Sequence, residues 1–532
     1  MYPETWCVKQ TSYERWISRR DQSLATEPEV VEGPLVSVVM PVYNTDLQFL
    51  ASAIESVRAQ KYRKWQLCIA DDASPEPDVA AMLRHFEALD ERIRVTFLES
   101  NAGIAGASNR AAGLADGDFI ALMDHDDVLH PEALNVVVRE LAAAPQTKFL
   151  YTDSDHLDTN GRRCSPFFKP GYDYSRFLGQ NYLNHLTVIR RDLLEACDGW
   201  KTGYEGSQDY DLYLRIVEKI SDREILHVPE VLYHWRDVPN SVARSNLGKA
   251  VQAARLAIRH HFERAGIDAL VKGCRQAIIY NRIEWPLPTA DIQLLVYGEF
   301  EDDLEEARSA LSGAGEHLSL NITPIVGTGS QPELIAAINE IVSTSSSDFL
   351  CLMDARLRPV NDDWLQRLTP IAARAEVGVV TGKLLESDGR LVCGPEHQAQ
   401  SDPVAEPPLW LEREDSKGYI ASLCLDQEVR AAPPALLIAK TSLLRQLQGL
   451  PTHCDDLDAA VRLLCRRITE LGHSIIWSPH VLFRYVDDEE LSPSGGPTDD
   501  VSGYGASIPA RLAANANSGQ LEWEVVWKEG AE

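Results

Sequence analysis

From Val36 onward, short apolar runs alternate with segments whose apolar residues recur every three or four positions. The runs VSVVM (36–40), WQLCIA (65–70), IRVTFL (93–98) and FIALM (119–123) read as strands. One helix carries Leu47, Leu50, Ile54 and Val57 on a single face, and a second is expected from Val79 to Leu89. An Ala-rich third runs through 104–115, and Pro131 opens a fourth. This β-α-β-α-β-α-β order predicts an α/β fold with a doubly wound, mostly parallel sheet flanked by helices. Such sheets bind ligands at the carboxyl ends of their strands. Those ends are acidic here: Asp71 and Asp72 follow the second strand, and Asp124, Asp126 and Asp127 follow the strand 119–123.

The Pro-rich segment RIEWPLPTAD (282–291), coming after a long helical stretch, marks a domain boundary. An internal echo follows it. DFLCLMDARLRP (348–359) repeats DFIALMDHDDVLHP (118–131), and SPHVLFR (478–484) repeats VPEVLYH (228–234), so a duplicated fold is expected. The organisation this implies is an N-terminal helical extension (1–33), a first α/β domain (34–280), a diverged copy (290–487) and an acidic, Gly/Pro/Ser-rich tail (488–532), partly disordered. The apolar stretch LEWEVVWKE in that tail is a candidate to dock back.

Charge narrows the function. Lys and Arg number 51 against 80 Asp and Glu, a net charge of −29, which argues against nucleic acid as a partner. The ten cysteines form no CxxC pair and no dense cluster, so neither a disulfide framework nor a structural zinc site is expected, and a reducing cytoplasm fits. The sequence holds no signal-peptide core and no membrane-spanning stretch of about 18 apolar residues. A soluble or peripheral protein follows, cytoplasmic or on the inner face of the cytoplasmic membrane.

Three groups of residues are candidates for chemistry. Asp124-His125-Asp126-Asp127 places carboxylates two apart at a strand end, where oxygen-ligand cations such as Mg²⁺ or Mn²⁺ neutralise a bound diphosphate; a solvated, helix-capping turn is the alternative. Gly206-Ser207-Gln208-Asp209-Tyr210-Asp211-Leu212 opens a helix, so that Asp209 or Asp211 is either a general base or a cap. His234, in LYHWR, is either a metal ligand or a packed imidazole.

VSVVMPVYN, ADDAS, NAGIAGASN, LMDHDD, GSQDYDLYLR and VLYHWR occur in the order found in family-2 glycosyltransferases of the GT-A (Rossmann-like) fold, and residues 34–265 resemble that family, especially its bacterial members that build O-antigen and capsule. The resemblance implies an inverting, metal-dependent transfer of a hexose or deoxyhexose from a UDP- or dTDP-sugar donor to a saccharide or lipid-linked saccharide acceptor. Pro41, Tyr43 and Asn44 would line the base pocket, and Asp72 would hydrogen-bond the pyrimidine. Asp124 would approach ribose and metal, Asp126 and His234 would ligate Mn²⁺ or Mg²⁺, and Asp209 would be the base. The stretch 151–170 also resembles the bacterial subgroup, so Asp153 or Asp155 would either touch substrate or be solvated turn residues. Trp200 and Tyr204 would either stack on a sugar or sit in the core, and His260 and His261 read as surface residues.

In the copy, Asp354 aligns with Asp124, but Ala355 and Arg356 stand opposite His125 and Asp126, Arg484 opposite His234, and Asp456 opposite Asp209. With cations at both ligand positions, the copy is expected to lack metal chemistry and to pack on the first domain, to help hold acceptor, or to hold diphosphate through Arg356 and Arg484. Gln252-Ala253-Ala254-Arg255-Leu256 lacks the Trp of the family's membrane synthases, which argues against a processive synthase. The competing classes are a nucleotidyltransferase, whose Gly-rich basic loop is missing from PVYNTDLQF, and a nucleotide-binding scaffold.

Overall fold

The computed structural model describes residues 5–8, 10–236, 247–275, 277–299, 317–327, 329–394, 413–486 and 523–526, with positions 301, 304, 307 and 311. The first half contains helices α1 (Gln10–Ala25), α2 (Leu47–Arg58), α3 (Pro77–Leu89), α4 (Gly103–Ala112), α5 (Ala133–Ala143), α6 (Tyr174–Gly179), α7 (Arg191–Ala196), α8 (Gln208–Val217) and α9 (Leu247–Ala265). Its strands, preceded by β1 (Thr5–Val8), are β2 (Val36–Val42), β3 (Trp65–Asp71), β4 (Ile93–Phe97), β5 (Phe119–Leu122), β6 (Val128–Leu129), β7 (Phe149–Leu157), β8 (Arg163–Phe167), β9 (Thr187–Arg190) and β10 (Ile225–Arg236). They form one sheet in the order β4-β3-β2-β5-β9-β7-β10-β6, with β8 paired to β7. β2 is parallel to β3 and β5, and β3 to β4, whereas β9 lies antiparallel between β5 and β7. The sheet is therefore mixed, with its parallel part where the alternating pattern lies. Strands β2 and β3 are Val/Ile/Leu-rich and buried on both faces because helices cover each side. In α2, Leu50, Ala53, Ile54 and Val57 are buried on one stripe, and Asp46 caps the start by accepting from Gln48 N–H at 2.7 Å.

A hairpin of β11 (Leu270–Gly273) and β12 (Asn281–Glu284) ends the first half. The second half contains β13 (Ala290–Gly298), β14 (Leu318–Val326), β15 (Phe349–Asp354), β16 (Leu357–Pro359), β17 (Val377–Leu385), β18 (Leu391–Cys393), β19 (Gln427–Glu428), β20 (Leu436–Lys440) and β21 (Ser474–Tyr485), with helices α10 (Gln331–Thr344), α11 (Trp364–Ala373), α12 (Thr441–Gln446) and α13 (Leu457–Glu470). The sheet order β14-β13-β15-β20-β17-β21-β16 repeats that of the first half strand for strand from β3 to β6. Side chains repeat too. Asn109 Oδ1 accepts from Trp200 N–H at 2.9 Å, and Asn339 Oδ1 from Leu450 N–H at 2.7 Å. Arg215 pairs with Asp211 one turn away, and Arg462 with Asp458. The β7–β10 register breaks after Val228, and the β17–β21 register breaks after Ser478, both at the Pro of the echoed motif.

The halves pack together through buried polar contacts. Arg176 of α6 donates to Gln427 Oε1 at 3.1 Å and to the Ile420 carbonyl oxygen at 3.3 Å, while Asp173 Oδ2 accepts from Glu428 N–H at 2.7 Å. Tyr419 Oη donates to the Pro166 carbonyl oxygen at 2.8 Å. The expected docking of LEWEVVWKE is seen as β22 (Trp523–Val526), which pairs antiparallel with β1. The remainder of the expected disordered tail, up to residue 522, lies outside the described residues. His261 corrects the sequence reading: it is buried, with Nε2 2.7 Å from Tyr174 Oη and Nδ1 2.7 Å from Glu218, because α9 packs against α8. His260 is partly buried beside Tyr204, its Nδ1 2.6 Å from the Tyr204 hydroxyl.

Candidate active site

β2 lies parallel between β3 and β5, so the carboxyl ends of the three strands stand side by side at one edge of the sheet. At the end of β2, Pro41 offers its carbonyl oxygen to His125 Nδ1–H at 3.1 Å, Tyr43 is half exposed, and Asn44 adopts φ 43°. Ala73, beyond β3, adopts φ 58°, and Asn44 N–H donates to Ser74 Oγ at 2.9 Å. Two non-glycine residues in the left-handed region at facing strand ends are strain of the kind that clusters at ligand sites. Asp72 is buried there, its Oδ1 accepting from Ala102 N–H at 2.6 Å at the mouth of α4.

After β5, the four-residue acidic turn sorts itself by partner. Asp127 is buried and structural: Oδ2 accepts from Tyr233 Oη at 2.7 Å and Oδ1 from Arg236 N–H at 2.7 Å, which ties the turn to β10. Arg236 Nε also donates to the Asp126 carbonyl oxygen at 2.8 Å. Asp124 and Asp126 keep partial solvent access. The helix-capping alternative fails, since α5 begins only at Ala133 and its cap position, Glu132, makes no side-chain cap bond. Burial raises the Asp124 carboxyl well above its ordinary value, with Asp127, Asp126 and Asp209 adding to the shift. Burial and Asp126 likewise push Asp127 up to about 7. Crowded carboxylates that resist ionisation together suit a divalent cation, which restores them to the charged form.

His234 is buried, and its Nδ1–H donates to Asp155 at 2.5 Å. Burial holds the imidazole below its ordinary pKa in spite of Asp155, so it is neutral and its lone pair lies on Nε2. A carboxylate behind an imidazole is the usual means of orienting a metal-binding histidine. Burial opposes ionisation of Asp155, yet His234, Arg163 and Tyr13 together hold its carboxyl below the usual range. Tyr13 Oη donates to Asp155 Oδ2 at 2.6 Å, as does Arg163 Nε at 2.6 Å. Tyr13 belongs to α1, whose Asp21 also accepts from Arg163 at 3.0 Å, so the N-terminal helix reaches the back of the site. Among the described residues, no group of three or more His, Cys, Asp or Glu side chains is drawn together as a ready-made metal cage. The residues present fit a cation of the Mg²⁺ or Mn²⁺ kind, held by one or two carboxylates and completed by donor phosphates.

The base candidates are separated by their partners. Asp211 is buried in an ion pair with Arg215, whose Nε donates at 2.9 Å, so it is occupied. Asp209 caps nothing, since Ser207 holds the N-cap position; its Oδ1 accepts from Trp200 Nε1–H at 2.7 Å and its Oδ2 from Gln208 Nε2 at 3.2 Å. Burial raises the Asp209 carboxyl above its ordinary value, against the pull of those two bonds. Trp200 is thus a core residue that also positions a carboxylate.

Three residues acquire roles that sequence reasoning did not give them. Asp153 and Asp155 are not solvated turn residues: both are buried on β7, Asp153 Oδ1 lying 2.8 Å from His227 Nε2. His185 is buried and neutral, pushed down to about 3 by burial and Lys169; its ring stacks on Tyr233 at 5.0 Å, and its Nε2 lies 3.8 Å from Asp124 Oδ2. No motif pointed to it. In the second half, Asp354 is taken up by Arg356, whose Nη2 donates to it at 2.8 Å, and Arg484 donates to Glu414 at 2.8 Å. Asp456 is a plain helix cap, accepting from Ala459 N–H at 2.6 Å.

The sequence pattern described as glycosyl transferase family 2 matches residues 37–197. The putative teichuronic acid biosynthesis glycosyltransferase TuaG of Bacillus subtilis (strain 168) is 39% identical over 238 residues, which is 44% of this chain and 92% of TuaG. The chain belongs to glycosyltransferase family 2. Two longer relatives extend the similarity into the second half of the chain. Protein y4gI of Sinorhizobium fredii (strain NBRC 101917 / NGR234), whose name carries no function, is 34% identical over 484 residues, 84% of this chain and 52% of its own. The O-antigen biosynthesis protein RfbC of Myxococcus xanthus is 29% identical over 409 residues, 71% of this chain and 32% of its own. The chain therefore spans about half, or a third, of the length of these two relatives. The family pattern stops short of Asp209 and His234.

Proposed function

We propose that the first half transfers a sugar, with inversion, from a pyrimidine nucleotide-diphosphate donor to a hydroxyl of a saccharide acceptor in bacterial surface polysaccharide synthesis. The observation that supports this reading is that Asp126 and Asp209 lie near enough to Asp124, at the carboxyl end of β5, to add to the upward shift of its carboxyl, while Trp200 and Gln208 hold Asp209. Pro41, Tyr43, Asn44 and Asp72 bound the nucleoside end, where Asp72 faces the base. Asp124, Asp126 and His234 hold a divalent cation, which when bound offsets the negative charge of the departing diphosphate. Asp209, raised by burial, accepts the proton of the attacking hydroxyl, and Trp200 holds its carboxylate in place. One base and no protein nucleophile give inversion in a single displacement. The names of TuaG and RfbC favour a surface-polysaccharide setting. The second half is a non-catalytic copy, because its aspartates are occupied by Arg356 and by capping.

The experiment is incubation of the full chain with UDP-, dTDP- and GDP-sugars and Mn²⁺, following donor breakdown. Metal-dependent turnover of a UDP- or dTDP-sugar is expected; turnover that persists in excess EDTA, or of no donor at all, contradicts the reading.

A further inference from the structure

The two halves differ in what covers the back of the sheet. In the first, α1 lies there: Arg20 pairs with buried Glu230, and Asp21 sits 3.3 Å from His130 Nε2. The equivalent positions in the second half are fixed by backbone bonds, because His130 N–H donates to the Leu232 carbonyl oxygen at 2.9 Å and Val360 N–H to that of Leu482 at 2.8 Å. Val360 thus stands for His130, and His480, two residues before Leu482, for Glu230. Among the described residues no counterpart of α1 lies there, and Val360, His480 and Leu482 line an open cleft of about 750 Å³. That volume is in the range of small-molecule sites.

The chemistry of the cleft departs from that of the chain. Arg275, Arg282, Arg367, Arg413 and Arg484 line it, against Asp388, Glu414 and Asp415, an excess of positive charge on a protein of net charge −29. Glu414 pairs with Arg484 at 2.8 Å and Asp388 with Arg390 at 2.6 Å, while Arg367 pairs with Asp363 at 2.7 Å and Arg282 lies 3.6 Å from Glu284, so the exposed Arg275 and Arg413 are the guanidinium groups most open to a ligand. Arg275 and Arg413 are exposed, and the Arg484 side chain keeps 39% of its surface. Guanidinium forks match carboxylate and phosphate oxygens, and a low-dielectric concavity concentrates their field. Among the described residues no Phe, Tyr or Trp lines the cleft, so these walls offer no ring on which a neutral sugar would stack. Asp354 and Arg356 are not among its walls, whereas Arg484, at the position of His234, is.

We propose that this cleft binds an anionic saccharide, through a carboxylate or phosphate substituent, at a site independent of the donor site. Among the described residues no counterpart of α1 covers this wall, and arginines line it. The cleft binds its ligand whether or not the first half holds donor.

The test is calorimetric titration of the full chain, presaturated with UDP and Mn²⁺, with a glucuronic acid oligosaccharide, a glucose oligosaccharide of equal length, and inorganic phosphate. Tighter binding of the glucuronic acid oligosaccharide than of the glucose one is expected, weakening as salt rises to screen the charges. Phosphate binding at the same variants' sites would assign the phosphate arm, and its absence the carboxylate arm. Arg413→Glu and Arg413→Ala/Arg484→Ala should each lose at least about tenfold in affinity, and Arg413, being exposed, can be changed without loss of fold. Unaltered UDP binding by these variants shows that the first half is intact. Equal binding of both oligosaccharides, no binding of either anionic probe, or unchanged affinity in Arg413→Glu overturns the proposal.

Discussion

Tyr13→Phe removes a single hydroxyl from behind His234, the proposed metal ligand. Tyr13 is fully buried between Trp16, at 5.9 Å, and Phe168, at 6.2 Å, so phenylalanine fills the same space. What is lost is the 2.6 Å bond to Asp155, a bond to an ionised acceptor worth about 1.5–3 kcal/mol. Arg163 and His234 still hold Asp155, so the loss should fall at the lower end of that range. Partners that orient a metal-bound histidine typically affect metal affinity about 10–100-fold. We expect Mn²⁺ to bind the Tyr13→Phe protein about tenfold more weakly in the presence of UDP, which is about 1.4 kcal/mol. Manganese titration followed by electron paramagnetic resonance reads this without relying on turnover. If Tyr13→Phe matches the wild type while Asp155→Asn is weakened, α1 only packs and does not position the site. If neither variant changes, His234 is not a ligand.

Three further outcomes follow from the same geometry. Asp126→Ala should abolish donor turnover in the full chain, and any residual transfer sensitive to Arg356→Ala would reveal a second working site. Asp211→Asn leaves Arg215 buried without its partner and should lower stability by about 3 kcal/mol in chemical denaturation, while turnover per folded molecule is kept. A base works only when ionised, so the acid limb of kcat should lie above the usual carboxylate range, where burial places Asp209. Trp200→Phe deletes a bond that favours the ionised form and should move that limb to still higher pH; a limb that moves down contradicts the assignment.

Much of the architecture was legible because burial writes itself into spacing. The α2 stripe, the Val-rich β2 and β3, the acidic strand ends and the echoed motifs all appear in the structure where the pattern puts them. Strand direction is not encoded in hydrophobicity, so the antiparallel insertion of β9 between β5 and β7 was not legible. Polar pairing across long separations was equally hidden. Asp155 reads as a loop residue because its partners, Tyr13 and His234, lie 142 and 79 positions away and compensate its burial. His185 sits in no motif and becomes visible only when β9 brings the segment before it beside Asp124. His261 looked exposed on a basic helix because Glu218 and Tyr174, which accept and donate to it, come from two other helices. Spacing alone leaves Asp209 and Asp211 alike, and the family resemblance chooses Asp209; Arg215, one turn after Asp211, separates them in the structure.

The central claim is that Asp209 performs the chemistry while the strand-end carboxylates and His234 hold donor and metal. It is tested most directly by Asp209→Asn, measured twice: UDP binding with Mn²⁺ by calorimetry, and single-turnover transfer from the donor the wild type accepts. A general base contributes about 10²–10⁴-fold, so the account predicts near wild-type UDP affinity with turnover lowered at least about a hundredfold. Wild-type turnover by Asp209→Asn, or loss of UDP binding together with turnover, would contradict it.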